Sequence, residues 1–234
     1  MRQNGPEKKD VWRRAVMLIV FEGVDASGKQ TQCEAYYNYL KEKGKDVIKI
    51  SFPDYESNSS ALVKMYLGGQ FGKNANDISP YAASSFYAVD RYASYKTKWG
   101  KYLNEGKIIL ADRYVTSNMI HQAAKIENRE EKDAFLNWVY DFEYEKLALP
   151  KPDAVLFLDM PPRFALALME KRANKITNET EKDIHEKDSE HILKAYNNAK
   201  YVADKFSFKT IKCAEEEIRS ISDISAEIIE VLGI

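Results

Sequence analysis

The chain has 234 residues, 44% hydrophobic and 30% charged, with 10 Gly and 7 Pro, a composition that excludes collagen-like, low-complexity and wholly disordered classes. Its 35 basic and 36 acidic side chains nearly cancel, so the whole-chain field used in nonspecific nucleic-acid or membrane binding is missing, and neither partner is expected. Cys33 and Cys213 are the only cysteines, too few for a disulfide framework and in keeping with a cytoplasmic location.

Residues 1–15 mix Arg2, Lys8, Lys9, Arg13 and Arg14 with Glu7 and Asp10 around Gly5-Pro6, the pattern of a flexible extension. The apolar run that follows, Val16 to Phe21, is closed by Glu22 before it could form a signal-peptide core or a membrane span. Short runs rich in Val and Ile then alternate with long helical patterns, which predicts one α/β domain over residues 16–234 with a buried parallel sheet. Strands are expected at Val16–Glu22, Asp46–Ser51, Lys107–Asp112, Asp153–Asp159 and Phe208–Lys212. Helices are expected at Lys29–Lys43, Ser57–Leu67, Ser79–Asn104, Asn118–Leu147, Arg163–Ala173, Asp183–Lys205 and Ile221–Leu232. Ser79-Pro80 supplies an N-cap followed by Pro at the first helical position, and Gly44 and Gly106 fall where helices must stop.

The first strand runs into Gly23-Val24-Asp25-Ala26-Ser27-Gly28-Lys29 and then directly into helical sequence. This is a phosphate-binding loop in its required context: two glycines let backbone N–H groups and a helix N-terminus converge on one anion, and Lys29 adds a full charge. Gly23, Asp25, Ala26, Ser27, Gly28, Lys29, Gln30 and Thr31 are therefore assigned to a nucleoside triphosphate. Gln30 stands where a Ser or Thr hydroxyl ordinarily ligates Mg²⁺, so the metal is expected on Asp112, at the carboxyl end of the third strand, with water and phosphate completing its shell.

Asp112 opens Asp112-Arg113-Tyr114-Val115-Thr116-Ser117-Asn118, and here the chain resembles the thymidylate kinases, whose D-R-Y-x-x-S motif stands at this place. Phe21-Glu22-Gly23-Val24-Asp25, Phe52-Pro53-Asp54-Tyr55, Phe86-Tyr87-Ala88-Val89-Asp90-Arg91 and Leu158-Asp159-Met160-Pro161-Pro162 match the family in order. The resemblance implies a nucleoside monophosphate kinase fold of five parallel strands flanked by helices with a lid at about residues 173–183, Mg²⁺-dependent transfer of the γ-phosphoryl group of ATP to dTMP, and a homodimer. It places the acceptor on Asp25, Phe52, Tyr55, Tyr87, Arg91, Arg113, Asn118, His121 and Gln122. Arg113 would hold the acceptor phosphate and Arg91 the thymine edge. Tyr87 or Phe86 would stack on the base, Asp25 would read the 3′-hydroxyl, and His121 would stand against the deoxyribose. Because Ala26-Ser27 supplies no arginine to the loop, Arg172 and Lys175 at the lid are the candidate catalytic cations beside Lys29, Arg113 and Asp25. Cys213 to Arg219 would line the adenine.

Two other readings compete. A deoxynucleoside kinase needs a carboxylate base for a neutral 5′-hydroxyl, and Asp54 is the one on offer. A nucleotide-dependent switch or assembly ATPase needs features the sequence lacks, among them a guanine-reading N-K-x-D.

Overall fold

Every residue of β1 (Leu18–Glu22) is buried, and so are all but the two ends of β3 (Ile108–Asp112) and all but the last residue of β4 (Ala154–Asp159). Apolar runs of this kind fill the middle of a parallel sheet covered on both faces. The structure, a computed structural model, describes residues 18–72, 74–175 and 189–234. Its sheet is wholly parallel in the order β2-β3-β1-β4-β5. The edge strands β2 (Val47–Ser51) and β5 (Lys209–Lys212) bury only part of their residues.

Successive side chains alternate between two cores. Leu18, Val20, Ile109, Ala111 and Phe157 pack on one face with Trp99, Tyr114, Phe135 and Val202. Ile19, Phe21, Leu110, Leu156 and Leu158 pack on the other with Cys33, Tyr36, Leu40, Ile224 and Ile228. The helices α1 (Lys29–Glu42), α2 (Ala61–Leu67), α3 (Pro80–Ser94), α4 (Gly100–Asn104), α5 (Val115–His121), α6 (Arg129–Tyr140), α7 (Pro162–Lys175), α8 (Ser189–Lys205) and α9 (Ile221–Leu232) supply those layers.

Two predicted helices are corrected. Ser79–Asn104 is interrupted by a π turn at Tyr95–Trp99 between α3 and α4. Asn118–Leu147 is really α5, a short 3₁₀ turn, α6 and a second π turn at Asp141–Lys146. The break after α5 is tertiary in origin: the Asn198 side chain of α8 donates to the carbonyls of Met119 and Ile120 at 2.9 and 2.6 Å. α6 then starts afresh on Asn128, whose side chain accepts from the Glu131 N–H at 3.0 Å. The register Phe21 opposite Asp112, with Ser51 opposite Asp112 on the other side, gathers the carboxyl ends of β1, β2 and β3. Strand order reverses about β1, with β2 and β3 on one side and β4 and β5 on the other, and the crevice of an open α/β sheet opens at such a switch point.

Candidate active site

The loop after β1 turns on Gly23 and Gly28, at φ of 154° and 87°. A Cβ on Gly23 would sit 2.6 Å from Ser27 Oγ and 2.9 Å from the Leu158 carbonyl, so no larger residue fits that turn. Lys29, on the first turn of α1, is buried and folds back to donate to the Val24 carbonyl at 2.7 Å. Burial first, and the Arg113 charge second, lower its pKa to about 8. Gln30 and Thr31 are exposed beside it. Gln32, one turn in, is committed elsewhere, donating to the Ile221 carbonyl and accepting from Ser225 Oγ.

Beside this loop lies a cavity of about 230 Å³. Asp25, Phe52, Tyr55, Tyr87, Arg91, Arg113, Asn118, His121 and Gln122 all line it, together with Pro53, Leu67 and Ser117. All the residues that the resemblance assigns to the acceptor therefore meet in one place, from four separate stretches of chain. Of the two candidate stacking aromatics, Tyr87 faces the cavity. Phe86 packs against Phe71 and Tyr66, at ring separations of 5.4 and 6.3 Å.

Arg113 links loop and cavity. It sits at φ 68° between β3 and α5, its Nη2 donates to Asp25 Oδ1, and its Nη1 lies 2.9 Å from His121 Nε2. A guanidinium has only donors, so this imidazole nitrogen accepts and the ring is unprotonated there. The strained backbone is braced by a residue the sequence reading passed over. Glu22, fully buried at the end of β1, accepts from the Tyr114 N–H at 3.2 Å and the hydroxyls of Thr116 and Ser117 at 2.7 and 2.8 Å. Its pKa is raised by burial, opposed by the Arg113 charge. Its signal was a carboxylate closing an otherwise apolar central strand.

A second missed residue is Glu143. Arg91, itself 1% exposed, gives Nε and Nη2 to the two oxygens of Glu143 at 2.6 Å each. Asn118 Nδ2 donates to the same carboxylate at 2.9 Å and to the Ser84 carbonyl at 3.1 Å. Phe135, Leu136, Val139 and Glu143 share the inward register of α6 and its π turn, so an acid at a core position was the clue.

The metal candidate has a physical basis. Asp112 Oδ1 is buried without a hydrogen-bond partner, the state of an oxygen that another ligand would satisfy. Among the described residues no three His, Cys, Asp or Glu gather as a metal cluster. This thin donor set fits a magnesium that keeps water and phosphate as its main ligands. Arg172 and Lys175 fall on the last turn of α7, and the rest of the expected lid, residues 176–183, lies outside the described residues. Asp54, the base on offer to the competing kinase reading, does not line the cavity and pairs with Lys98 at 2.6 Å.

A five-stranded parallel sheet with a phosphate loop after β1 and a cation-lined cavity beside it defines a P-loop kinase of the nucleoside monophosphate type. The thymidylate kinase family profile matches residues 21–218. A thymidylate kinase of Mycobacterium tuberculosis is 34% identical over 177 residues, 74% of this chain and 79% of that one. A probable thymidylate kinase of Thermococcus onnurineus is 28% identical over 92% of this chain and 97% of its own. In fold, the chain superposes on thymidylate kinase from Candida albicans with a TM-score of 0.68 at 22% identity, covering 93% of this chain and 91% of that one. The chain belongs to the thymidylate kinase family.

Proposed function

We propose that the loop binds ATP, the cavity binds dTMP, and the γ-phosphoryl group passes between them to give dTDP and ADP. The observation that carries this reading is Arg113, which lines the acceptor cavity while bonded to Asp25 of the phosphate loop. A cation at that junction holds two anions in line, and the acceptor phosphate oxygen is already charged, so the reaction needs no general base. Lys29 and Arg113 stabilise charge on the transferring group, and the lid cations Arg172 and Lys175 are assigned to the donor side. Tyr87 offers a ring face to the base, Tyr55 a hydroxyl, and His121 bulk against the sugar. Mg²⁺, when bound, neutralises charge on the β- and γ-phosphates, and Asp112 is the protein group that would hold it. The Asp54–Lys98 pair, lying outside the cavity, weighs against a hydroxyl acceptor. We also assign residues 16–234 to one kinase domain acting as a homodimer in the cytoplasm; among the described residues no helix is long and apolar enough to cross a membrane.

The test is a coupled ADP-release assay with ATP and Mg²⁺, offering dTMP, dUMP, UMP, AMP and thymidine separately. Release dependent on dTMP is expected. Activity with thymidine alone, or hydrolysis indifferent to the acceptor, would overturn the reading.

A further inference from the structure

Glu143 is 1% exposed and lies behind the cavity, not on its wall. Its carboxylate nevertheless fixes what the wall can say to a nucleobase. Both hydrogens of the Asn118 amide nitrogen are committed to acceptors, one to Ser84 O and one to Glu143 Oε1. A flip of that amide would set its oxygen against a carbonyl and a carboxylate, so the orientation is chemically locked. Asn118 Oδ1, which carries no hydrogen bond, is then the end left to the cavity that Asn118 lines. Gln122, lining the same cavity with a buried Oε1 that has no partner, has no such lock. Arg91 is locked too. Nε and Nη2 each hold Glu143 and Nη1 reaches the Tyr114 carbonyl at 3.3 Å, which leaves its other N–H donors to the cavity.

We infer that Glu143 is a specificity-determining positioning residue: by locking Asn118 and Arg91 together it presents an acceptor beside a donor, the complement of a 4-oxo pyrimidine and the mismatch of a 4-amino one. A thymine or uracil edge offers N3–H to Asn118 Oδ1 and O4 to Arg91. A cytosine edge offers a bare N3 and an N4 amino group, setting acceptor against acceptor and donor against donor. Sites built to hydrogen-bond one pattern reject its inverse by factors of about 10⁴. The π turn at Asp141–Lys146, of a kind that recurs at functional sites, carries this carboxylate.

The inference rests on the assignment of the cavity to the acceptor base, and the experiment separates the two. kcat/KM for dTMP, dUMP and dCMP is measured for the wild-type protein, Asn118→Leu and Glu143→Gln, with melting temperatures for each. Glu143→Gln gives Arg91 and Asn118 one acceptor oxygen in place of two and lets the Asn118 amide turn. The dTMP-over-dCMP ratio should fall at least about tenfold in both variants, chiefly through KM for dTMP. A merely structural role for Glu143 would lower all activities together and leave the ratio unchanged. No preference in the wild-type protein would remove the base assignment itself. A preference lost in Asn118→Leu but kept in a folded Glu143→Gln would overturn the role of Glu143 alone. Should Glu143→Gln not fold, the Asn118 side-chain amide of the wild-type protein, assigned by its absence from Asn118→Leu, decides by NMR. Slow hydrogen exchange without nucleotide is expected, and rapid exchange overturns the lock.

Discussion

Arg113 and Lys29 carry charge for different reasons, and the difference can be measured. Arg113 stays cationic at any working pH, and its role depends on shape: a planar fork that reaches Asp25 and His121 at once. Arg113→Lys keeps the charge and loses the fork, so kcat/KM for dTMP should drop by about 10²–10³ with little change in melting temperature. Lys29 is a point charge whose pKa burial and Arg113 lower from 10.5 to about 8. Below pH 8 it is protonated in folded and unfolded chains alike and its buried charge costs stability; between about 8 and 10.5 the folded chain holds fewer protons, so stability from this group rises with pH. Polyphosphate beside Lys29 restores the charge. ATP binding at pH 8.5 should therefore take up protons, seen in calorimetry as a binding enthalpy that varies with buffer ionisation enthalpy, and Lys29→Met should abolish the variation. At this scale the sequence was informative where chemistry is written in residue type and spacing, as in the loop and in Asp112-Arg113-Tyr114. For Glu22 and Glu143 it offered no more than an acid at a core position, because their partners, Thr116 and Arg91, lie far off in the chain and only the fold brings them into contact.

Among the elements, β1 and α5 are joined through the Glu22 carboxylate, and this join holds Arg113 at its left-handed φ of 68°. Glu22→Ala strands a buried backbone N–H and two hydroxyls, with an expected loss of about 2–4 kcal/mol in denaturant unfolding. kcat should fall along with it, because Arg113 is no longer held toward Asp25. Glu22→Gln retains one acceptor oxygen and should cost less on both counts; equal losses in the two variants would mean that negative charge, not acceptor geometry, is what the join requires. Within the described residues the strands were legible to within a residue because a buried parallel strand is a continuous apolar run. The Asn118–Leu147 helix was misread because Gln122 to Glu127 is made of good helix formers. What ends α5 is a side chain from α8, Asn198, taking the Met119 and Ile120 carbonyls; no local propensity reports a bond made some eighty residues away.

Across the whole molecule, exposed apolar side chains are common and say little singly, but on α3 they fall in line. Tyr81, Val89 and Tyr92 are 42%, 48% and 38% exposed, and Leu62 on the neighbouring α2 is 41% exposed. Positions 81, 85, 89 and 92 follow the spacing of one helical face, while Tyr87 and Arg91 of the same helix line the cavity proposed for the acceptor. An apolar stripe on one helix can meet its own copy across a two-fold axis, giving the self-complementary contact of an isologous dimer. The expected species in solution is thus twice the 26.9 kDa chain mass. Val89→Lys puts like charges near the axis and should shift the protein toward monomer in sedimentation or light scattering. Because α3 carries the stripe together with the residues proposed to read the base, the monomeric variant should also bind dTMP more weakly, by about threefold to tenfold in KM. A Val89→Lys protein that remains dimeric would place the contact elsewhere. A monomer with unchanged KM would mean that association and acceptor binding are independent, with α3 held in place by the core alone.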